Sequence, residues 1–314
     1  MAPQPQTRRR LGFLAGHGTQ ALLFMLPAVL LLLVLLVYPM FWTIALSFNS
    51  GRGLQFQEEW VGFEHYVDLF TQDKTFLDLE EFPPEGAIVN NVIWIILYTS
   101  LCLVLGLAIA VLAARVAYER LMKAIIFLPM AISATAVAII WLFVYSPDPQ
   151  QGVLNAFLSA VNDDFKPISW VGRPETVNYA IIAAYVWASV GFSMVVLSAA
   201  LKGIPVDIIE AARTDGATEW NIFRRIQLPM LSLPIAVVTV WLIINVIKVF
   251  DIIFIMTKGG PGTSSRVIAY TMYRETFEGG KGGYGAAVAV VMLLLIIPIM
   301  LLNIRRFRTE AVQG

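Results

Sequence analysis

The sequence predicts an all-α integral membrane protein of six transmembrane helices, and three observations carry that expectation. Hydrophobic residues make up 58% of the chain and charged residues only 14%. The apolar residues are gathered into runs longer than the roughly 20 residues that cross a bilayer core. Those runs are also far longer than barrel strands, so each backbone has to satisfy its own hydrogen bonds as a helix.

Six runs meet the requirement in order: Ala21 to Phe48, Ile88 to Ala114, Leu121 to Tyr145, Val177 to Leu201, Met230 to Met256 and Tyr284 to Asn303. Pro27, Pro39, Pro129, Pro234 and Pro298 are expected to kink these spans or mark their ends, because proline removes a helical donor. Arg8-Arg9-Arg10 ahead of the first run resemble the charged start of a secretory signal. The apolar stretch is too long for one, and removing it would leave an odd number of spans.

Lysine and arginine set the orientation. With the N-terminus inside, Arg8 to Arg10, Arg115, Arg120, Lys123, the basic residues of the loop after span four, and Arg305, Arg306 and Arg308 face the cytoplasm. That places thirteen of the 22 basic residues inside and eight outside, with Lys248 left within a span. Both termini are therefore expected to be cytoplasmic. The chain divides into a tail at 1–20, a six-helix domain at 21–304 and a second tail at 305–314. The outer loop 49–87 is acidic and aromatic; Trp60, Phe63, Tyr66 and Phe70 suit a short amphipathic helix resting on the membrane surface.

Several functions are excluded or unsupported by the residues. The formal net charge is zero, and no basic run is long enough to grip nucleic acid. Cys102 is the single cysteine, so no intrachain disulfide exists. His17 and His65 lie far apart, which gives no metal spacing. No Gly-x-x-x-x-Gly-Lys-Ser/Thr phosphate loop occurs; Gly279-Gly280-Lys281-Gly282-Gly283 lacks the hydroxyl residue and suits a flexible outer connector. Gly-x-Ser-x-Gly and His-Glu-x-x-His motifs are absent as well.

Two sets of polar residues within the spans are candidates for contact with a transported solute. In span four, Tyr185, Ser189 and Phe192 recur at helical spacing and share a face. Two hydroxyls and two rings suit a pyranose, and equally suit helix packing, where serine permits close approach. In span five, Asn245, Lys248 and Asp251 are spaced one helical turn apart in an apolar run. Either Asn245 and Lys248 face a central pathway, or Lys248 and Asp251 neutralise each other as an ion pair.

The segment Pro205 to Pro229 reads as a docking element. Pro205 suits a helix start and Gly216 a left-handed helix end, so Val206 to Arg213 is expected to be a short helix, with Thr218 capping a second. Ala211 and Ala212 leave a smooth face, and Glu210 offers a carboxylate to a basic partner.

Glu210-Ala211-Ala212, Asp215-Gly216-Ala217 and Leu228-Pro229 together closely resemble the EAA loop of ABC importer permeases. The resemblance extends over most of the chain. Leu128-Pro129 with Trp141, Gly152-Val153-Leu154-Asn155, Trp187 and Leu201-Lys202-Gly203-Ile204-Pro205 resemble the carbohydrate-importer branch. Trp60 to Tyr66 resemble its outer loops, and Thr257-Lys258-Gly259-Gly260-Pro261-Gly262 resembles the Gly-Gly-Pro turn of the maltose-transporter larger-permease type. The ending Asn303 to Arg308 is similar to alpha-glucoside and glucosylglycerol importers.

The resemblance implies the type I importer permease fold with a cytoplasmic coupling helix, in a bacterial or archaeal inner membrane. It implies a non-catalytic subunit paired with a second permease, two ATPase subunits that bind ATP and magnesium, and an extracytoplasmic solute-binding protein that delivers a sugar. Glu210 would meet a basic residue of the ATPase, Asp215 and Gly216 would hold the turn, and Leu228-Pro229 would join the lever to span five. Such a subunit needs no cofactor or metal of its own, and its non-protein contacts would be sugar and membrane lipid. A reading from another class is an ion-coupled secondary transporter using Lys248 and Asp251.

Overall fold

A computed structural model describes residues 24–80 and 85–313. The arginines Arg8 to Arg10, His17 and the Ala21 start of the first expected span lie outside the described residues, as do the side chains of Arg305, Arg306 and Arg308. Described elements are helical throughout, apart from isolated bridges in the outer loop such as Asn49 with Trp60.

The first span is α1, Phe24–Leu46, which widens into a π-helical stretch at Leu33–Val37. All its side chains from Phe24 to Leu36 are exposed. Lipid is as apolar as leucine, so an outward face of this kind is stable in a bilayer. The outer loop then carries α2, Glu64–Thr71, close to the expected amphipathic segment, with Phe63 at its cap position. Buried Asn49 organises the loop: its amide donates to the carbonyls of Gln57 and Glu59 at 2.9 and 2.8 Å, and its side-chain oxygen accepts the Gln57 N–H at 2.8 Å.

Helices α3, Ala87–Ala113, and α7, Pro174–Lys202, are the long inner spans, and α13, Gly282–Gln313, contains the last. Two expected spans are not single helices. The third is α4, Glu119–Phe127, followed by a 3-10 turn at Leu128–Ala131 and α5, Ala134–Val144, with a bend of 101°. Pro129 lacks the N–H that a continuous helix requires, and Ser133 restarts the helix by accepting the Ala136 N–H at 3.3 Å. The outer connector after it carries α6, Val153–Val161, before α7 begins.

The fifth span is likewise divided. After α8, Val206–Thr214, the chain runs through α9, Glu219–Met230, turns by 66° at Leu231 and continues as α10, Ser232–Ile247. Helical geometry stops at Lys248 and resumes in α11, Asp251–Met256. Asn245, Lys248 and Asp251 therefore do not share one helix, contrary to their spacing. A final short helix, α12, Ile268–Tyr273, precedes α13.

α7 is the central post, packing against α3, α4, α5, α10 and α11. Small residues set the distances. A Cβ on Gly106 of α3 would stand 2.6 Å from Ser193 Cβ and 3.0 Å from the Met194 nitrogen of α7. A Cβ on Gly191 would stand 2.8 Å from the Ile126 carbonyl oxygen, so α7 also lies against the backbone of α4. Close backbone approach is how helices gain packing energy where lipid supplies no hydrophobic drive.

Three buried asparagines join this post to the outer half of span five. The Asn178 amide of α7 donates to Asn90 Oδ1 at 2.8 Å and to the Ser264 carbonyl at 2.7 Å, while its oxygen accepts Trp94 Nε1 at 3.3 Å. Asn90 of α3 donates to the Arg266 carbonyl at 2.8 Å. Asn91 donates to the Val246 carbonyl at 3.2 Å and accepts the Ile268 N–H at 2.8 Å. These amides satisfy the irregular main chain on both sides of the Gly-Gly-Pro turn.

Asn178→Leu should lower stability by at least about 2 kcal/mol, because it orphans several buried groups at once. Thr239→Val is the control: that hydroxyl bonds only the Ile235 carbonyl of its own helix, and its loss should cost under about 0.5 kcal/mol. Thermal unfolding of the detergent-solubilised chain measures both; equal losses would deny the network its role. Gly106→Val should cost about 1–3 kcal/mol in the same assay through overpacking against Ser193.

Candidate functional site

The loop after α7 forms the element that its residues suggest. α8 starts directly after Pro205, whose φ of −55° and ψ of 129° leave the preceding turn, and it extends one residue beyond Arg213 to Thr214. Gly216 has φ +81°. The Gly216 N–H bonds the Arg213 carbonyl and the Ala217 N–H bonds the Ala212 carbonyl, both at 3.0 Å, which is a Schellman ending. No heavy atom lies within 4 Å of where a Gly216 Cβ would stand, so the left-handed φ alone demands glycine. Thr218 caps the next turn, its hydroxyl accepting the Asn221 N–H at 3.3 Å.

Glu210, Ala211, Asp215 and Gly216 are exposed, and Ala212 and Ala217 are half-buried. The Glu210 carboxylate has no ion pair among the described residues. α8 rests mainly on α9. A π-helical turn at Phe223–Gln227 leads to Leu228 and Pro229, which end α9 just before the 66° bend. Leu228 is half-buried and Pro229 exposed.

Ion pairs brace both ends of this loop. At its start, Lys202 Nζ lies 2.8 Å from Glu119 Oε1, and Glu119 is also held by Lys123, which tie the end of α7 to the start of α4. At its far end, Arg213 donates to Glu219 at 2.8 and 3.4 Å, and Arg115 beyond α3 stands 3.7 Å from the same carboxylate. The hydrogen bond and charge of Glu219 raise the Arg213 guanidinium above its ordinary value. Each of these partly exposed pairs contributes little stability alone. Together they restrict how α8 can move relative to α3, α4 and α7.

On the central helix face, Tyr185, Ser189 and Phe192 share one side of α7, with Ser189 buried and the two rings half-buried. Tyr185 packs against Trp94 and Tyr98 of α3 at centroid distances of 5.8 and 5.1 Å. Phe192 stacks on Trp241 of α10 at 3.9 Å. The Tyr98 hydroxyl is directed at Ser189 and Cys102 but reaches hydrogen-bond geometry with neither. Trp94 and Tyr98 were not singled out from the sequence. They stand four residues apart on span two, so the criterion that found the α7 stripe could have found them had it been applied across spans.

Asn245 donates to the Trp241 carbonyl of its own helix at 2.8 Å. Lys248 and Asp251 are exposed on either side of the break between α10 and α11 and form no ion pair with each other. The expected mutual neutralisation fails because the helix stops between them. Asp251 instead lies within electrostatic reach of Tyr185, which brings the start of α11 to the α7 stripe. Lys258-Gly259-Gly260-Pro261-Gly262 turns outside this break, with positive φ at Lys258, Gly259 and Gly262. Ser265 donates to the Gly260 carbonyl at 2.6 Å and meets Thr257 at 2.8 Å, closing the turn on itself. Among the described residues no group of three or more His, Cys, Asp or Glu side chains is placed to hold a metal.

Comparison with known proteins places this chain in a class. The family described as binding-protein-dependent transport system inner membrane component matches residues 87–304. The chain is 45% identical over 292 residues to the osmoprotective compounds uptake permease protein GgtC of Synechocystis sp., covering 92% of this chain and 99% of that protein. It is 40% identical over 294 residues to the alpha-glucoside transport system permease protein AglF of Rhizobium meliloti, covering 92% and 82%. Its fold matches a chain of a bacterial ABC transporter involved in the import of the acidic polysaccharide alginate, with a TM-score of 0.77 and 26% identity over 95% of this chain and 99% of that one. This chain therefore belongs to the binding-protein-dependent transport system inner membrane component family, as a multi-pass permease subunit of an ABC transporter.

Proposed function

We propose that this chain carries a sugar or sugar-like solute inward by alternating access, driven by ATP hydrolysis in separate subunits. The observation that carries this reading is the Glu210 to Ala217 loop. It is exposed, carries an unpaired carboxylate, ends in a stable turn and is braced at both ends to the spans. A partner ATPase that binds ATP and magnesium would seat α8, with Glu210 against one of its basic residues. Movement of that seat reaches α4 and α7 through Glu119 and α10 through Leu228-Pro229, so the spans rock between inward-open and outward-open states. The subunit itself is non-catalytic.

Complete assembly requires a second permease, two ATPase subunits and an extracytoplasmic solute-binding protein, with both termini of this chain in the cytoplasm of a bacterial or archaeal cell. The cargo reading draws on the alpha-glucoside and alginate relatives and on the chemistry of the central face. Rings at Tyr185 and Phe192 suit the apolar faces of a pyranose, and Ser189, Asn245 and Lys248 offer groups for its hydroxyls. Tyr98 adds a hydroxyl with no partner of its own. Irregular backbone at membrane depth is tolerated where it is buried or lines a cavity, which favours the α10–α11 break beside Lys248 as part of the route. Separation of Lys248 from Asp251 and membership of a binding-protein-dependent family both weigh against proton coupling through those two residues.

Glu210→Lys should leave the complex assembled while lowering sugar-stimulated ATP hydrolysis by about tenfold or more, equivalent to about 1.4 kcal/mol lost at the contact. Undiminished coupled transport in that variant would remove the lever assignment. Asn245→Ala should lower uptake while basal ATP hydrolysis and assembly persist; unchanged uptake would take Asn245 out of the route.

A further inference from the structure

An outward-facing cleft of about 750 Å³ lies between the outer loop, the segment around Arg266 and the start of α13. It is separate from the α7 stripe and the α10–α11 break. Its rim is held by main-chain bonds: the Gly53 N–H to the Gly280 carbonyl at 3.1 Å, and the Gly283 N–H to the Gly51 carbonyl at 3.0 Å. The size suits a small ligand, but the lining is dominated by charge.

The charges do not balance within the cleft. Asp73 is fully engaged: Oδ1 accepts the Thr75 N–H and hydroxyl and the Phe76 N–H at 2.9, 2.7 and 3.2 Å, and Oδ2 accepts the Tyr284 hydroxyl at 2.7 Å. Glu275 stands 3.8 Å from Lys281. Asp68 also lines the cleft, so three carboxylates stand with four cations, Arg52, Arg266, Arg274 and Lys281, and none of the three arginines has an ion pair among the described residues.

Arg266 is the deepest of these cations, only 6% exposed. It donates from Nη1 to Thr75 Oγ1 at 2.7 Å, while its buried Nε has no partner. Burial and the nearby Arg274 charge hold the guanidinium below its ordinary value, with Asp73 and Glu275 acting in the opposite direction. A buried guanidinium normally meets an oxygen anion across two N–H groups, and leaving it unpaired is costly. Asp73 and Glu275 act on Arg266 only at longer range, and among the described residues no carboxylate oxygen lies within ion-pair distance of it. The space beside it is open to the outer solution.

We propose that this cleft binds a small oxyanion of the size of phosphate or sulfate, held by Arg266 and Arg274 with Arg52 at the rim. The bound anion offsets the excess positive charge beside Arg266 and separates two like charges. It also joins the Arg266 segment, to which Asn90 is bonded, to the outer loop through Thr75. The site is independent of the transport reading, and its test needs no transport.

The experiment is equilibrium dialysis of radiolabelled inorganic phosphate against the purified full-length permease, with ionic strength matched by sodium chloride, alongside thermal unfolding in the same buffers. Saturable binding of one phosphate per chain, competition by sulfate and a raised unfolding temperature are expected. Arg274→Gln should weaken that binding about tenfold or more, as expected for loss of a charge-assisted pair of hydrogen bonds. Because Arg266→Gln removes a buried bond and could impair folding, Arg274→Gln and Arg274→Lys are the decisive pair, with the lysine variant retaining more affinity than glutamine. Absence of saturable binding by the wild-type chain, equal affinity in Arg274→Gln, or phosphate uptake seen only when a binding protein is added would each overturn the proposal.

Discussion

Three buried asparagine side chains hold the main chain around the broken fifth span in register. Asn90 and Asn91 project from α3 and Asn178 from α7, and between them they bond the main chain at Val246, Ser264, Arg266 and Ile268. Broken helices leave polar backbone groups unsatisfied, and each such group is costly in hydrocarbon. The asparagines supply those partners from rigid neighbouring helices.

That constraint explains the division of labour along α7. Its outer end is fixed to α3 and the turn through Asn178, its middle carries the Tyr185, Ser189 and Phe192 stripe, and its inner end reaches the coupling loop through Lys202 and Glu119. Close contacts at Gly106 and Gly191 leave little room for sliding against α3 or α4. Under the proposed coupling, a push delivered to α8 would meet packed helices.

The coupling loop was legible because its information is local. Pro205, Gly216 and Thr218 each specify a backbone event at their own position, and all three events occur within a residue of where they were read. Span positions were legible for a similar reason, since length and apolar content are summed along the chain. Spans three and five exposed the limit of that reasoning. Hydropathy is indifferent to a 101° bend at Ile132 and Ser133 or to a gap at Lys248, because lipid and helix neighbours are equally apolar. The pairing of Lys248 with Asp251 failed on that gap. Trp94 and Tyr98 show a stripe by their spacing, but their partners and those of the asparagine network depend on which face of one span meets another, and a single sequence carries no record of that choice.

Reconstitution in liposomes with a binding protein, a second permease and an ATPase gives the most direct measurement of ATP-driven sugar import. ATP hydrolysis should rise when sugar-loaded binding protein is present, and sugar uptake should follow ATP and stay indifferent to a pH gradient. Sugar uptake driven by a pH gradient in liposomes that hold this chain without any ATPase would contradict it.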